Sequence, residues 1–310
     1  MRFASFGFLV GSVLVSLSVA ATTTARAADL DFGALRGSEF EPAAAPVVDV
    51  WDGIYVGGHG GWSSASFGFG NVFQSTVAQV LRATAIESTL SASTLLHARD
   101  VRRDGTTFGA YAGVNYQFDE TVIGVEVDYT HSGLRGRSSD AIHRYNTDAS
   151  GYLRGAKLSG DASTEIDDYA TIRARVGYTV AGFMPFVTGG FAIGRAQIAE
   201  TVAVRGYEYD EATYRKNQAI TDGSKPAYVN RSGYTTFSPD NPGSSVLAPP
   251  NIFTPSKEKI VGGIAAGAGL EYAITPNLLL RAEYQYILFN DFDGHKLNIN
   301  TVRGGAAVKF

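Results

Sequence analysis

Several charged side chains in this 310-residue chain stand two residues apart: Glu126 and Asp128, Arg173 and Arg175, Arg281 and Glu283. Two carboxylates on one strand face can divide the work of a general acid and a general base. The same spacing arises wherever one face of a strand has to be polar. No nucleophile with a base and an orienting group accompanies the pair, so catalysis is the weaker reading. Ser132 follows His131, but adjacency in sequence does not make a hydrolytic pair. The run Gly57-Gly58-His59-Gly60-Gly61 superficially looks like a phosphate-binding loop. No helix follows it, and its glycines are better read as room for large side chains opposite. His97, His131, His143 and His295 fall in or beside long connections, and no two have the spacing of ligands on a helix, so they are read as solvated. With no cysteine in the chain, thiolate chemistry and disulfides are excluded. No catalytic residue, metal site or cofactor is assigned, and the chain is read as not an enzyme.

The elements that carry these charges alternate with period two. Eight segments do so: 53–67, 106–118, 121–130, 165–180, 183–198, 257–274, 278–289 and 297–310. In the third, Ile123, Val125, Val127 and Tyr129 oppose Gly124, Glu126, Asp128 and Thr130. In the seventh, Leu280, Ala282, Tyr284 and Tyr286 oppose Arg281, Glu283 and Gln285. Such alternation is the signature of strands with one apolar and one polar face. Connections after the second, fourth and sixth segments are tight: Asp119-Glu120, Ala181-Gly182 and Thr275-Pro276-Asn277. Those after the first, third and fifth are long, at about 68–105, 131–164 and 199–256, and the connection 290–296 is short. Membrane barrels have short periplasmic turns and longer external loops; a soluble sandwich gives no reason for the alternation. The expected fold is all-β, an eight-stranded antiparallel up-and-down transmembrane β-barrel with long extracellular loops.

The amino terminus agrees. Arg2, an apolar stretch to Ala20 and Ala25-Arg26-Ala27 read as a secretory signal peptide over 1–27, cleaved after Ala27. A Pro- and Ala-rich periplasmic lead-in over 28–49 precedes the barrel, 50–310. Without Arg2 and Arg26 the chain keeps 24 basic residues against 30 acidic, a net charge of −6. No basic stripe is present, which argues against nucleic acid as a partner. Outward aromatics form interface girdles, with Trp62 on one side and Phe118, Tyr178, Tyr272 and Phe310 near the periplasmic strand ends. In the first long loop, Val77, Val80, Leu81 and Thr84 share one face of a short helix. Loop 199–256 is rich in Pro and Tyr, and neither loop reads as a separate domain.

The inward face holds His59, Glu126, Asp128, Arg173, Arg175, Glu271, Arg281, Glu283, Arg303 and Lys309. Eight strands leave an interior just wide enough for side chains. The arginines are therefore expected to pair with the carboxylates along the axis, because an unpaired buried charge is very costly. A plug of paired ions with Gln285 is favoured over a narrow water-filled pore on grounds of volume.

The segment Trp51-Asp52-Gly53-Ile54-Tyr55-Val56-Gly57-Gly58-His59-Gly60-Gly61-Trp62 resembles the first strand of OmpA-like, opacity-type outer-membrane proteins. Ala28-Asp29, Gly113-Val114-Asn115-Tyr116, Arg173-Ala174-Arg175-Val176-Gly177-Tyr178 and Arg281-Ala282-Glu283-Tyr284 are similar to the alphaproteobacterial immunogenic proteins of the "porin family". The terminal alternating segment ending on Phe310 looks like a closing barrel strand. The resemblance covers the strands, not the long loops. It implies a surface antigen in the outer membrane of a Gram-negative cell, in contact with outer-membrane lipid and lipopolysaccharide. Phe310 would be the signal read by the barrel-assembly machinery. Roles implied for such proteins are envelope integrity, contact with a host or surface ligand through the loops, slow passage of small solutes, and hemin binding.

Overall fold

The computed structural model describes residues 50–310; the expected signal peptide and lead-in lie outside the described residues. Eight long strands follow one another: β1 (Gly53–Gly68), β2 (Val101–Phe118), β3 (Thr121–Thr147), β4 (Tyr152–Tyr178), β5 (Phe183–Asp210), β6 (Ser256–Thr275), β7 (Leu278–Phe292) and β8 (His295–Lys309). Each pairs antiparallel with the next. β8 then pairs back on β1, from Tyr55↔Lys309 to Gly68↔Lys296. The ring closes, and closure satisfies the backbone groups that an open edge would leave bare in lipid.

Alternation fixes which side chains point outward. On β1, Ile54, Val56 and Trp62 are exposed, and on β3 Ile123, Val125, Val127 and Tyr129 are, while Tyr55, His59, Glu126 and Asp128 are buried. From Ile54 to Trp62 the outward face spans roughly 20–25 Å along the axis for strands of ordinary rise and tilt. That matches the apolar band of a membrane barrel. Phe118, Tyr178, Tyr272 and Phe310 are exposed at the end where the turns are tight, with Phe183 and Tyr272 rings 4.6 Å apart. Ala181 and Gly182 (φ 46° and 86°) and Asp293 and Gly294 (φ 56° and 83°) both take left-handed conformations. Two-residue turns of this hand suit the strand twist.

Three strands are far longer than their apolar faces suggest. The connection expected at 131–164 is mostly strand: β3 runs on to Thr147, β4 starts at Tyr152, and β5 continues to Asp210. The physical reason lies in β4. Ile166 and Tyr169 are both buried although three apart, because a register shift between Ile166 and Asp168 adds a residue there. Period two breaks at that point. Beyond it the outer face meets water and carries Arg135, Arg137 and Lys157, so no lipid-facing pattern marks the strand. β2 likewise begins at Val101.

The first loop is not a free excursion. Helices α1 (Gln74–Val80) and α2 (Ala85–Leu90) fold into the external mouth of the ring. Phe69, Val72, Phe73, Val77, Leu81 and Leu96 join Phe67, Leu158, Ile166, Val202, Phe289 and Leu297 in one buried cluster. Of the residues expected to share one helix face, Val77 and Leu81 are buried. Thr84 does not continue that helix: its hydroxyl accepts from the Glu87 N–H at 3.2 Å and caps α2. After β5, α3 (Glu211–Gln218) is capped by Asp210, which accepts from the Thr213 N–H at 2.8 Å. The segments Arg231–Ser232 and Asn251–Phe253 then pair along β5.

Glycines set how closely inner side chains pack. A Cβ on Gly109 would overlap the Tyr129 carbonyl oxygen and lie 2.8 Å from His59 Nε2, whereas Gly189 has open space around it. Gly109→Val is expected to abolish the heat-modifiable folded form on gels, and Gly189→Ala to leave it intact. Equal folding of the two variants would contradict the register described.

Candidate functional site

Read from the tight-turn end outward, the inner faces repeat one order of side chains. β1 presents Tyr55, His59, Ser63, Ala65 and Phe67; β7 presents Leu279, Arg281, Glu283, Gln285, Ile287 and Phe289; β8 presents Ala307, Arg303, Thr301, Ile299 and Leu297. The lumen is therefore layered. A small apolar layer of Trp51, Tyr55, Tyr111, Val122, Met184, Leu279 and Ala307 closes the tight-turn end. Charges come next, then hydroxyls and an amide, then the large apolar cluster topped by the first loop.

The charged layer contains four arginines and four carboxylates, all buried: Arg173, Arg175, Arg281 and Arg303 with Glu126, Asp128, Glu271 and Glu283. Arg173 donates to Glu126 at 2.6 Å and also to Glu283. Arg281 reaches Glu271 and Glu126, both at 2.6 Å. Arg175 lies 2.9 Å from Glu271 and donates to the Tyr55 hydroxyl at 3.0 Å; Tyr55 in turn donates to Glu126 at 2.8 Å. Arg303 donates to Asp128 at 2.7 Å and to Glu283 at 2.9 Å. His59 Nε2 lies 3.1 Å from Asp128. The layer sets four guanidinium groups against four carboxylates. Stacking adds to the pairing: Arg281 sits over the Tyr111 ring at 4.1 Å and Arg175 over Phe186 at 4.5 Å. Above it, Ser63 bonds Thr107 at 3.0 Å and Thr301 at 2.7 Å.

The structure thus brings together His59, Glu126, Asp128, Arg173, Arg175, Glu271, Arg281, Glu283 and Arg303. Lys309 stands apart at the tight-turn end, where its ammonium donates to the Asp52 carbonyl at 2.8 Å. Tyr55 and Tyr111 of the apolar layer, and Thr188, contact these charges and escaped the sequence reading, although counting by twos from His59 and Gly109 points Tyr55 and Tyr111 inward. Lumen filling also differs from expectation. The ions and Gln285 fill only the middle, and hydrophobic side chains of the first loop fill the external half.

The other candidates separate. Ser132 donates to the Ile166 carbonyl at 2.7 Å, while His131 sits outward, 2.8 Å from Asp168. His295 is not a solvated loop residue: it is buried between the Phe69 and Phe292 rings, 2.6 Å from the Thr164 hydroxyl and 3.3 Å from Glu200. His143 lies on β3, 2.7 Å from the Tyr207 hydroxyl. Burial pushes the Tyr207, Tyr209 and Tyr234 hydroxyls above their ordinary range. Among the described residues no group of three or more His, Asp or Glu is placed to hold a metal ion.

A closed ring with an outward apolar band, aromatic girdles and a neutralised charged lumen defines an outer-membrane β-barrel. The chain belongs to the outer membrane protein beta-barrel domain family, whose model matches residues 13–310. It is 28% identical to the 31 kDa outer-membrane immunogenic protein of Brucella melitensis, with 96% of this chain and 98% of that one covered. It is 26% identical to the 25 kDa outer-membrane immunogenic protein of Brucella abortus, over 68% of each chain. Among solved structures, Neisserial surface protein A aligns with 84% of this chain and 98% of its own at 12% identity and a TM-score of 0.30. The protein is a surface β-barrel of the cell outer membrane.

Removing one partner from a buried ion pair strands the other charge. Glu126→Gln leaves Arg173, Arg175 and Arg281 short of a carboxylate and is expected to destabilise the barrel by about 3–5 kcal/mol in urea titration. Adding Arg281→Met should recover part of that loss; no recovery would contradict the pairing.

Proposed function

We propose that this protein is a non-conducting, non-enzymatic surface barrel that supports the envelope and makes contacts through its external head. The observation that carries this reading is the layering of the lumen. The charged layer lies between two apolar layers, and helices α1 and α2 cover its external side. An ion crossing such a barrel would have to break paired charges and then pass an apolar cluster, and each step is costly. Against the narrow-pore alternative stand the apolar layers on either side of the charges. The wall contacts lipid and lipopolysaccharide, and the strands that project beyond the apolar band supply the contact surface.

The direct test is planar-bilayer conductance of the refolded chain 28–310, with heat-modifiable mobility checked first. Folded protein is expected to insert without steady openings. Steady, ion-selective openings would overturn the reading.

Phe310 is proposed as the assembly signal. It is exposed and outward, and its N–H donates to the Ile54 carbonyl at 2.9 Å. Deleting Phe310 is expected to lower the amount of assembled protein in the outer membrane of expressing cells. Unchanged assembly would contradict this role.

A further inference from the structure

The extensions of β3, β4 and β5 form a three-stranded sheet beyond the apolar band. Its outward face carries a groove that the barrel itself does not need. In register across the sheet stand His143, Lys157 and Arg205, and one pair further on Tyr145, Gly155 and Tyr207. A cavity of about 330 Å³ touches His143, Lys157, Arg205 and Pro250. A second, of about 270 Å³, shares His143 and is walled by Tyr145, Tyr207, Tyr209 and Tyr234. The two make one groove with a basic end and an aromatic end.

At the basic end the cations are free. The neighbouring carboxylates are already held: Asp161 by Arg137 at 2.9 Å and Glu208 by Arg154 at 2.9 Å. Among the described residues neither Lys157 nor Arg205 has an ion-pair partner, and the buried Nε of Arg205 has no hydrogen-bond acceptor. An unpaired guanidinium beside an ammonium suits the two oxygens of a carboxylate, sulfate or phosphate. In a chain of net negative charge, such a local couple is a specific feature.

At the aromatic end the rings are held in place. Tyr207 lies flat across the sheet because position 155 is glycine, where a Cβ would overlap its ring. Its hydroxyl is fixed by His143. Tyr234 packs edge-on against Tyr207 at 5.7 Å and against Phe237 at 5.1 Å. Rigid rings with an apolar face and a hydroxyl tip offer stacking and hydrogen bonding together.

Position selects the occupant. The outward polar collar at His131 and Asp168 marks the edge of the apolar band. His143 lies about 30 Å above it at ordinary strand rise and tilt. Phosphates anchored at the membrane surface do not reach that height, whereas sugar chains do. We propose that this groove binds an acidic saccharide, with Lys157 and Arg205 holding its anionic group and the exposed Tyr145 stacking on its rings against the wall that Tyr207 and Tyr234 form. This rests on the reading of the external head as a contact surface. A silent barrel that binds no saccharide would sink this proposal alone.

The test uses the refolded chain 28–310 in detergent and a fluorescent sulfated, uronate-containing tetrasaccharide, read by anisotropy. Saturable binding is expected, weakened at least about tenfold in K157Q/R205Q, a change of about 1.4 kcal/mol. Y145A is expected to weaken it at unchanged ionic strength. R102Q/R103Q removes the same charge from β2, away from the groove, and is expected to bind as the unaltered chain does. Absence of binding to the unaltered chain, or an equal loss in R102Q/R103Q, would overturn the proposal. Competition by purified lipopolysaccharide would support it and name the cell's own surface sugar as the source. Binding that lipopolysaccharide does not displace would support it and name a saccharide from solution.

Discussion

Charge neutrality inside a narrow ring governs this molecule. A membrane barrel needs an apolar outside, and alternation then puts every other residue inside. With eight strands the inside is too small for bulk water, so any charge placed there must be met by another. Arg173, Arg175, Arg281 and Arg303 meet Glu126, Asp128, Glu271 and Glu283, drawn from β3, β4, β6, β7 and β8. The pairs therefore also tie the strands together across the lumen. Tyr55 joins them from β1 by hydrogen bonds to both signs of charge. The small residues opposite follow from the same constraint, since the Tyr111 and Tyr55 phenols fit only because Gly57 and Gly113 have no Cβ, which would overlap their rings.

The rest of the interior is closed by apolar packing. The first loop folds into the external mouth because its Phe73, Val77 and Leu81 find the apolar inner faces of β4 and β5 beyond the hydroxyl layer. Each such side chain, fully buried, contributes about 1.5–3 kcal/mol. The three longest strands then continue outward as a sheet, one face covering the loop helices and the other facing water. Wall, filled lumen and external head are thus separate parts of one ring.

The ring itself was legible because lipid and lumen impose opposite demands on neighbouring residues. Ile123 against Gly124 and Leu280 against Arg281 read as wall positions from sequence alone. The identity of the paired ions followed from the same count. The upper strands were hidden for two reasons. The extra residue near Asp167 shifts the phase of β4, and water on the outer face removes the contrast between Ser159 or Lys157 and their neighbours. His295 was misplaced because its burial comes from Phe69, more than two hundred residues earlier, which local pattern does not reveal. The groove around Tyr207 depends on Gly155 across the strand and on Tyr234 from a distant loop, so Tyr content pointed to the region but not to its shape.

The account stands on the coupling between buried charges, and a double-mutant cycle on Asp128 and Arg303 measures it directly. Asp128→Asn, Arg303→Met and the double variant would be unfolded in urea from the same lipid or detergent. The account predicts that the double variant is more stable than the sum of the single losses requires, by about 2 kcal/mol or more. Additive losses would mean that the two groups do not depend on one another, and would contradict a lumen held by paired charge.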